Sequence, residues 1–306
     1  MSKSLLHIFI YTIIFIVFFS CQRRTEYDFE RTKIVVNNQQ FEILTAWQLF
    51  DYYIDAKPDY RKSIFNKIKN EFNHNTEYPF LYDAIKKPIE PDKEFSEALD
   101  LMKSIDFVRI VDSTYQLVTK ELPGPDTRIL FIPANPAYRE IYKEFGFGFH
   151  AFTLGSGKII VSFDPTFENW QQFLPYALAH EYHHSVWTSR NFESADFTPL
   201  EYIVLEGRAD SFAKGLFPDT SNPFINILDE KNMERIWNLI KPEINRRNTD
   251  MNEKLYYGTD DIPYGSVYAI GFEIVESYKK NHPLITDQIL IDITPEEILQ
   301  GSKYNK

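Results

Sequence analysis

The chain has 306 residues, 43% of them hydrophobic and 25% charged, the proportions of a globular protein with a sizeable core. Its net charge of −11 is spread along the chain rather than gathered into a tail, and it offers no basic stripe to a nucleic acid, which excludes that class of partner. The sequence holds one cysteine, Cys21, so no intrachain disulfide can form and the core and any bound metal must stabilise the fold.

Lys3, the apolar run from Leu5 to Phe19 and the small residue Ser20 have the layout of a secretory signal over residues 1–20. The run is about 15 residues long, against the roughly 20 that a spanning helix needs; an uncleaved N-terminal anchor is the alternative. Phe18-Phe19-Ser20-Cys21 resembles a bacterial lipobox. That resemblance implies cleavage before Cys21, lipidation of Cys21 and, with Gln22 rather than Asp following it, anchoring to the outer membrane.

Residues 21–38 read as a polar tether. Residues 39–120 read as mostly helical: Trp47, Phe50, Tyr53 and Ile54 recur at spacings of three and four, as do Ile64, Ile68 and Phe72. Phe95, Ala98, Leu99 and Met102 continue the pattern after Pro88 and Pro91, which break the region into separate helices. The pattern then changes. Residues 128–133 and 158–163 are compact β-branched and aromatic runs that predict strands, and the glycine-rich stretch between them, with His150, predicts a loosened strand or hairpin. After Pro165 helical patterning resumes almost to the end. Helices, a small sheet, then helices make an α+β layout, with the chemistry in residues 121–306.

That chemistry begins at His180-Glu181-Tyr182-His183-His184. On a helix His180 and His184 share a face one turn apart and can grip one zinc ion, while Glu181 sits about 100° round, where a general base must stand to take a proton from the zinc-activated water. Downstream, Thr198-Pro199-Leu200-Glu201 is a capping box with Pro at the first helical position, and the helix it opens carries Glu206 and Asp210 on one face. Glu206 can complete a His₂Glu site and Asp210 can accept from the outer nitrogen of a ligand histidine. The competing reading of this pair is an exposed acidic face joined to Arg208 or Lys214. His183 is expected to make a local hydrogen bond, and His150 to be packed, a substrate contact being its alternative.

His180 to Trp187, then Glu206-Gly207-Arg208-Ala209-Asp210 and the later stretch Pro263 to Val275, resemble the predicted zinc-dependent proteases of the DUF2268 family, within the gluzincin group of zincins. The resemblance implies a zincin-like fold, a small sheet packed on the active-site helix, with the strand before that helix lying along a peptide or protein substrate. It also implies a tyrosine that stabilises the oxyanion, for which Tyr268 is the first candidate and Tyr264 the second. The expected activity is zinc-dependent peptide-bond hydrolysis with Glu181 as general base. The alternative is a non-catalytic zincin-fold lipoprotein related to gliding-motility lipoproteins, which residues 270–278 also resemble; a purely structural zinc site would need a fourth protein ligand, for which His183 is the nearest residue.

Overall fold

The computed structural model describes residues 27–72, 76–145, 148–247 and 249–305. The signal segment, Cys21 and the glycine-rich residues Gly146 and Phe147 lie outside them. Among the described residues no helix is long and apolar enough to cross a membrane.

The architecture is α+β, around a five-stranded sheet. β1 (Glu30–Val36) and β2 (Gln39–Thr45) form an antiparallel hairpin. Its two-residue turn is Asn37-Asn38, with φ of 47° and 67°, the left-handed conformation that asparagine tolerates and that such hairpins demand. Three helices follow, α1 (Trp47–Ala56), α2 (Asn66–Phe72) and α3 (Lys93–Lys103), and then the longer α4 (Phe107–Glu121). β3 (Thr127–Pro133) pairs parallel with β2. After the short α5 (Arg139–Phe145), β4 (Phe149–Gly155) and β5 (Lys158–Phe163) form a second hairpin. β5, not β4, returns beside β3, so the sheet order is β1-β2-β3-β5-β4 and β4 is an edge.

Two expectations are corrected. Residues 30–36 of the supposed tether are a strand, and the supposed helical region opens with β2. The sheet therefore crosses the boundary drawn at residue 120: Phe41 to Thr45 of β2 pair with Thr127 to Phe131 of β3. The physical reason is the burial of Phe41, Ile43 and Leu44, which have a core to enter only if β2 joins the sheet.

After the sheet come two long helices, α6 (Trp170–Asn191) and α7 (Pro199–Leu216). α6 is buried nearly all round from Leu174 to His183, which is why its pattern lacks a polar face. One core lies between the sheet, α4 and α6, where Tyr115 and Tyr182 meet edge to face at 5.2 Å. The Tyr182 hydroxyl donates to Gln39 Oε1 at 2.8 Å, which ties α6 to the first hairpin. α7 begins as its sequence predicts, with the Thr198 and Glu201 side chains each bonded to the other's backbone N–H. A second core joins α7 to α8 (Glu230–Ile240), α9 (Met251–Tyr257), α10 (Ser266–Asn281) and the terminal α11 (Asp287–Leu290) and α12 (Pro295–Gly301).

α7 and α10 cross where Gly207 faces Gly271, backbone against backbone. A Cβ on Gly207 would lie 2.2 Å from the Gly271 carbonyl carbon and oxygen, so only glycine permits this approach. Because Gly207 adjoins Glu206, the crossing also sets how near α10 comes to the site described below. Gly207→Ala is expected to destabilise the protein by about 1–3 kcal/mol through overpacking, read as a lowered midpoint in thermal unfolding; an unchanged midpoint would show that the helices are free to part.

Candidate metal centre

α6 and α7 bring the predicted residues together. His180 and His184, one turn apart, point their Nε2 atoms at each other across 3.0 Å. Glu206, entering from α7, places Oε2 3.3 Å from His180 Nε2 and 3.4 Å from His184 Nε2. The three side chains are only 10%, 12% and 11% exposed, so little water screens them from one another. The acidic-face reading of Glu206 and Asp210 fails, since both are buried.

The surrounding hydrogen bonds settle which atoms are acceptors. Asp210 is fully buried, one turn beyond Glu206, and its Oδ1 lies 3.0 Å from His180 Nδ1. A carboxylate there favours the ring proton on Nδ1, so in the neutral ring the lone pair lies on Nε2. Asp210 is itself fixed by the Tyr176 hydroxyl, which donates to Oδ1 at 2.8 Å, and by Asn222 Nδ2, which donates to Oδ2 at 3.3 Å. Tyr176 lies one turn before His180 on α6, so a single helix face carries the candidate ligand and a donor to its supporting carboxylate.

Donor chemistry and spacing suit zinc. Two imidazole nitrogens and a carboxylate oxygen are its usual ligands, and at bond lengths of about 2.0–2.1 Å tetrahedral ligand atoms stand roughly 3.4 Å apart. The observed separations are 3.0, 3.3 and 3.4 Å. Among the described residues, His180, His184 and Glu206 are the group that could hold a metal. His183 does not join them. It is 2% exposed, its ring lies 5.7 Å from Phe212, and burial holds its pKa well below the ordinary histidine value. The expected local hydrogen bond is not made at Nδ1, which has no partner among the described residues; the ring is turned into the apolar core instead.

Glu181 lies beside the triangle rather than in it. Its carboxylate turns to β4, where the Thr153 hydroxyl stands 2.9 Å from Oε2 and 2.7 Å from the Glu181 carbonyl oxygen. Burial raises the Glu181 pKa, making it a stronger base than a surface glutamate. Burial alone would raise Glu206 too, but there the two histidines outweigh it and hold the carboxyl down to about 2. Tyr268, on α10, lies 6.3 Å from His180 between ring centroids and stacks on Phe224 at 5.7 Å. Its ring lies 6.1 Å from that of Tyr256. Tyr264, the second candidate, packs on Phe224 and Tyr256 at 5.2 and 5.9 Å, one layer further back. His150 is half-buried beside Phe152 on β4, and burial lowers its pKa to about 4.

Sequence reasoning missed Thr153, Tyr176, Asn222 and Tyr78. The last bonds to Thr188, whose hydroxyl in turn donates to the carbonyl of His184, so the residues before α3 are pinned to the site helix. Tyr176 was within reach of the i, i+4 rule applied backwards from His180. Thr153 and Asn222 carried no such signal.

The DUF2268 family, described as predicted Zn-dependent proteases, matches residues 107–300. The uncharacterized protein YjfC of Bacillus subtilis is 27% identical over 122 residues, which take in 36% of this chain and 40% of that protein. An aminopeptidase N family protein from Idiomarina loihiensis superposes over 91% of this chain and 42% of its own, with a TM-score of 0.40 and 12% identity. Both matches thus span about two fifths of the length of the other protein.

The electrostatics predict how the site answers to pH. Burial opposes charge on His180, but Asp210 and Glu206 overcome it and raise the pKa well above the ordinary 6.5. His180 therefore keeps a proton to higher pH than an ordinary histidine, and a zinc ion must displace it. Apparent zinc affinity should keep climbing as pH rises past 7, measured by competition with a chelator. Affinity that levels off at 6.5 would contradict the assignment.

Proposed function

The chain belongs to the DUF2268 family of predicted Zn-dependent proteases, and on that footing we propose that it is a zinc metallopeptidase in which His180, His184 and Glu206 hold the ion and Glu181 is the general base. The observation that carries this reading is the division of labour among buried groups: two imidazole nitrogens and a carboxylate oxygen converge within 3.4 Å, while a second carboxylate, that of Glu181 beside His180, bonds instead to Thr153. A structural zinc site would close its fourth position with a protein ligand, and the neighbouring His183 faces Phe212 instead. Three protein ligands leave a position for water or substrate.

A zinc ion held there supplies a Lewis acid that polarises the scissile carbonyl and lowers the pKa of water to about 7. The remaining work belongs to the chain. Glu181 accepts the proton of the attacking water and returns it to the leaving amine, which its raised pKa favours. Asp210 holds the His180 ring in register through Nδ1. The Tyr268 hydroxyl, on the helix that passes His180, is the donor offered to the developing oxyanion.

The substrate strand is β4. The strand immediately before α6 in sequence is β5, but β5 has β3 on one side and β4 on the other, so its backbone is already paired. β4 is the edge, it lies against α6, and an extended peptide can add to it as a further strand in the zincin manner. Lipidation of Cys21, which would anchor the exported chain to the membrane, belongs to the same reading, and the intact mass of the membrane-extracted protein tests it.

Glu181→Gln should bind zinc with wild-type stoichiometry and cleave casein or a peptide library at least about 100-fold more slowly, since the amide cannot take up the proton. Cleavage at the wild-type rate would end the proposal that Glu181 is the base.

A further inference from the structure

One polar contact joins the sheet to the base. Thr153 is 4% exposed on β4, between the buried apolar residues Phe152 and Leu154. A hydroxyl buried in such surroundings is costly unless it is bonded, and among the described residues this one meets Glu181, at the carbonyl oxygen and at Oε2. The carbonyl lies inside α6, where the helix ladder already serves it. The carboxylate has no such ladder, and it is buried where a charged oxygen needs a donor.

We infer that Thr153 is a positioning residue for the general base: from the edge strand that receives the substrate backbone, its hydroxyl fixes where the Glu181 carboxylate points. The inference rests on the peptidase reading and adds a part to it. Because the strand and the base are joined through one side chain, a peptide laid along β4 meets the carboxylate in a set register. A hydroxyl suits the place chemically. It donates to a carboxylate and accepts from a carboxylic acid, so the contact outlasts the arrival of a proton on Glu181. Valine has the same shape and can do neither.

The test uses the full-length, zinc-loaded protein with Thr153→Val and Thr153→Ser. The valine variant should match wild type in zinc content and stay folded, with a melting temperature lowered by at most a few degrees, kcat about 10–100-fold lower and KM within about threefold. The serine variant should recover most of kcat, which a loss of packing would not allow. Wild-type turnover in Thr153→Val, or equal loss in both variants, overturns the inference; Thr153→Ala replaces the valine variant if that one fails to fold. A second arm needs no activity. Crystal structures of zinc-loaded wild type and Thr153→Val should show the Glu181 carboxylate displaced in the variant, and a carboxylate that stays in place overturns the inference. If wild type cleaves nothing while the carboxylate moves, the peptidase reading falls and the positioning role stands.

Discussion

Two imidazole nitrogens and a carboxylate oxygen, packed within 3.4 Å of one another and almost out of reach of water, repel unless positive charge sits among them. Protons can supply that charge, and the neighbouring carboxylates accordingly raise the His180 pKa. A divalent cation supplies it better, because it satisfies all three lone pairs at once. Much of the surrounding structure makes sense as a means of holding these atoms together against their repulsion.

The means are mostly helical geometry. α6 sets the two histidines one turn apart, and its burial between the sheet and α7 keeps the helix from rotating them away. α7 brings Glu206 and Asp210 up on a single face, so one carboxylate of the candidate site and the support for His180 arrive together. The glycine pair at positions 207 and 271 draws α10 against α7 and carries Tyr268 to within ring distance of His180. Asp210, with donors from Tyr176, His180 and Asn222, is a buried charge whose acceptors are used, which is the condition for its being tolerated there.

The sequence was most legible where chemistry follows local spacing. His180 and His184 could be placed because four residues make one turn, and Glu206 and Asp210 because Thr198-Pro199-Leu200-Glu201 announces where their helix begins. The strands at 127–133 and 158–163 showed as apolar runs because both are interior to the sheet. The first hairpin was hidden for the opposite reason. β1 is an edge strand whose Arg31, Lys33 and Val35 face solvent, so it looked like polar tether, although Asn37-Asn38 between two β-branched or apolar runs is a hairpin signal. Contacts set by tertiary structure alone left no trace: Thr153 is 28 residues from Glu181, and which helix face its strand would meet depends on β5 inserting beside β3.

The central claim is that His180, His184 and Glu206 hold one zinc ion with an open position, and X-ray absorption at the zinc edge of the purified protein measures this most directly. The account predicts one zinc per chain in a shell of nitrogen and oxygen only, at about 2.0–2.1 Å, with the outer-ring scattering of two imidazoles. Protein without zinc after metal-replete purification, or a shell lacking imidazole scattering, would contradict it.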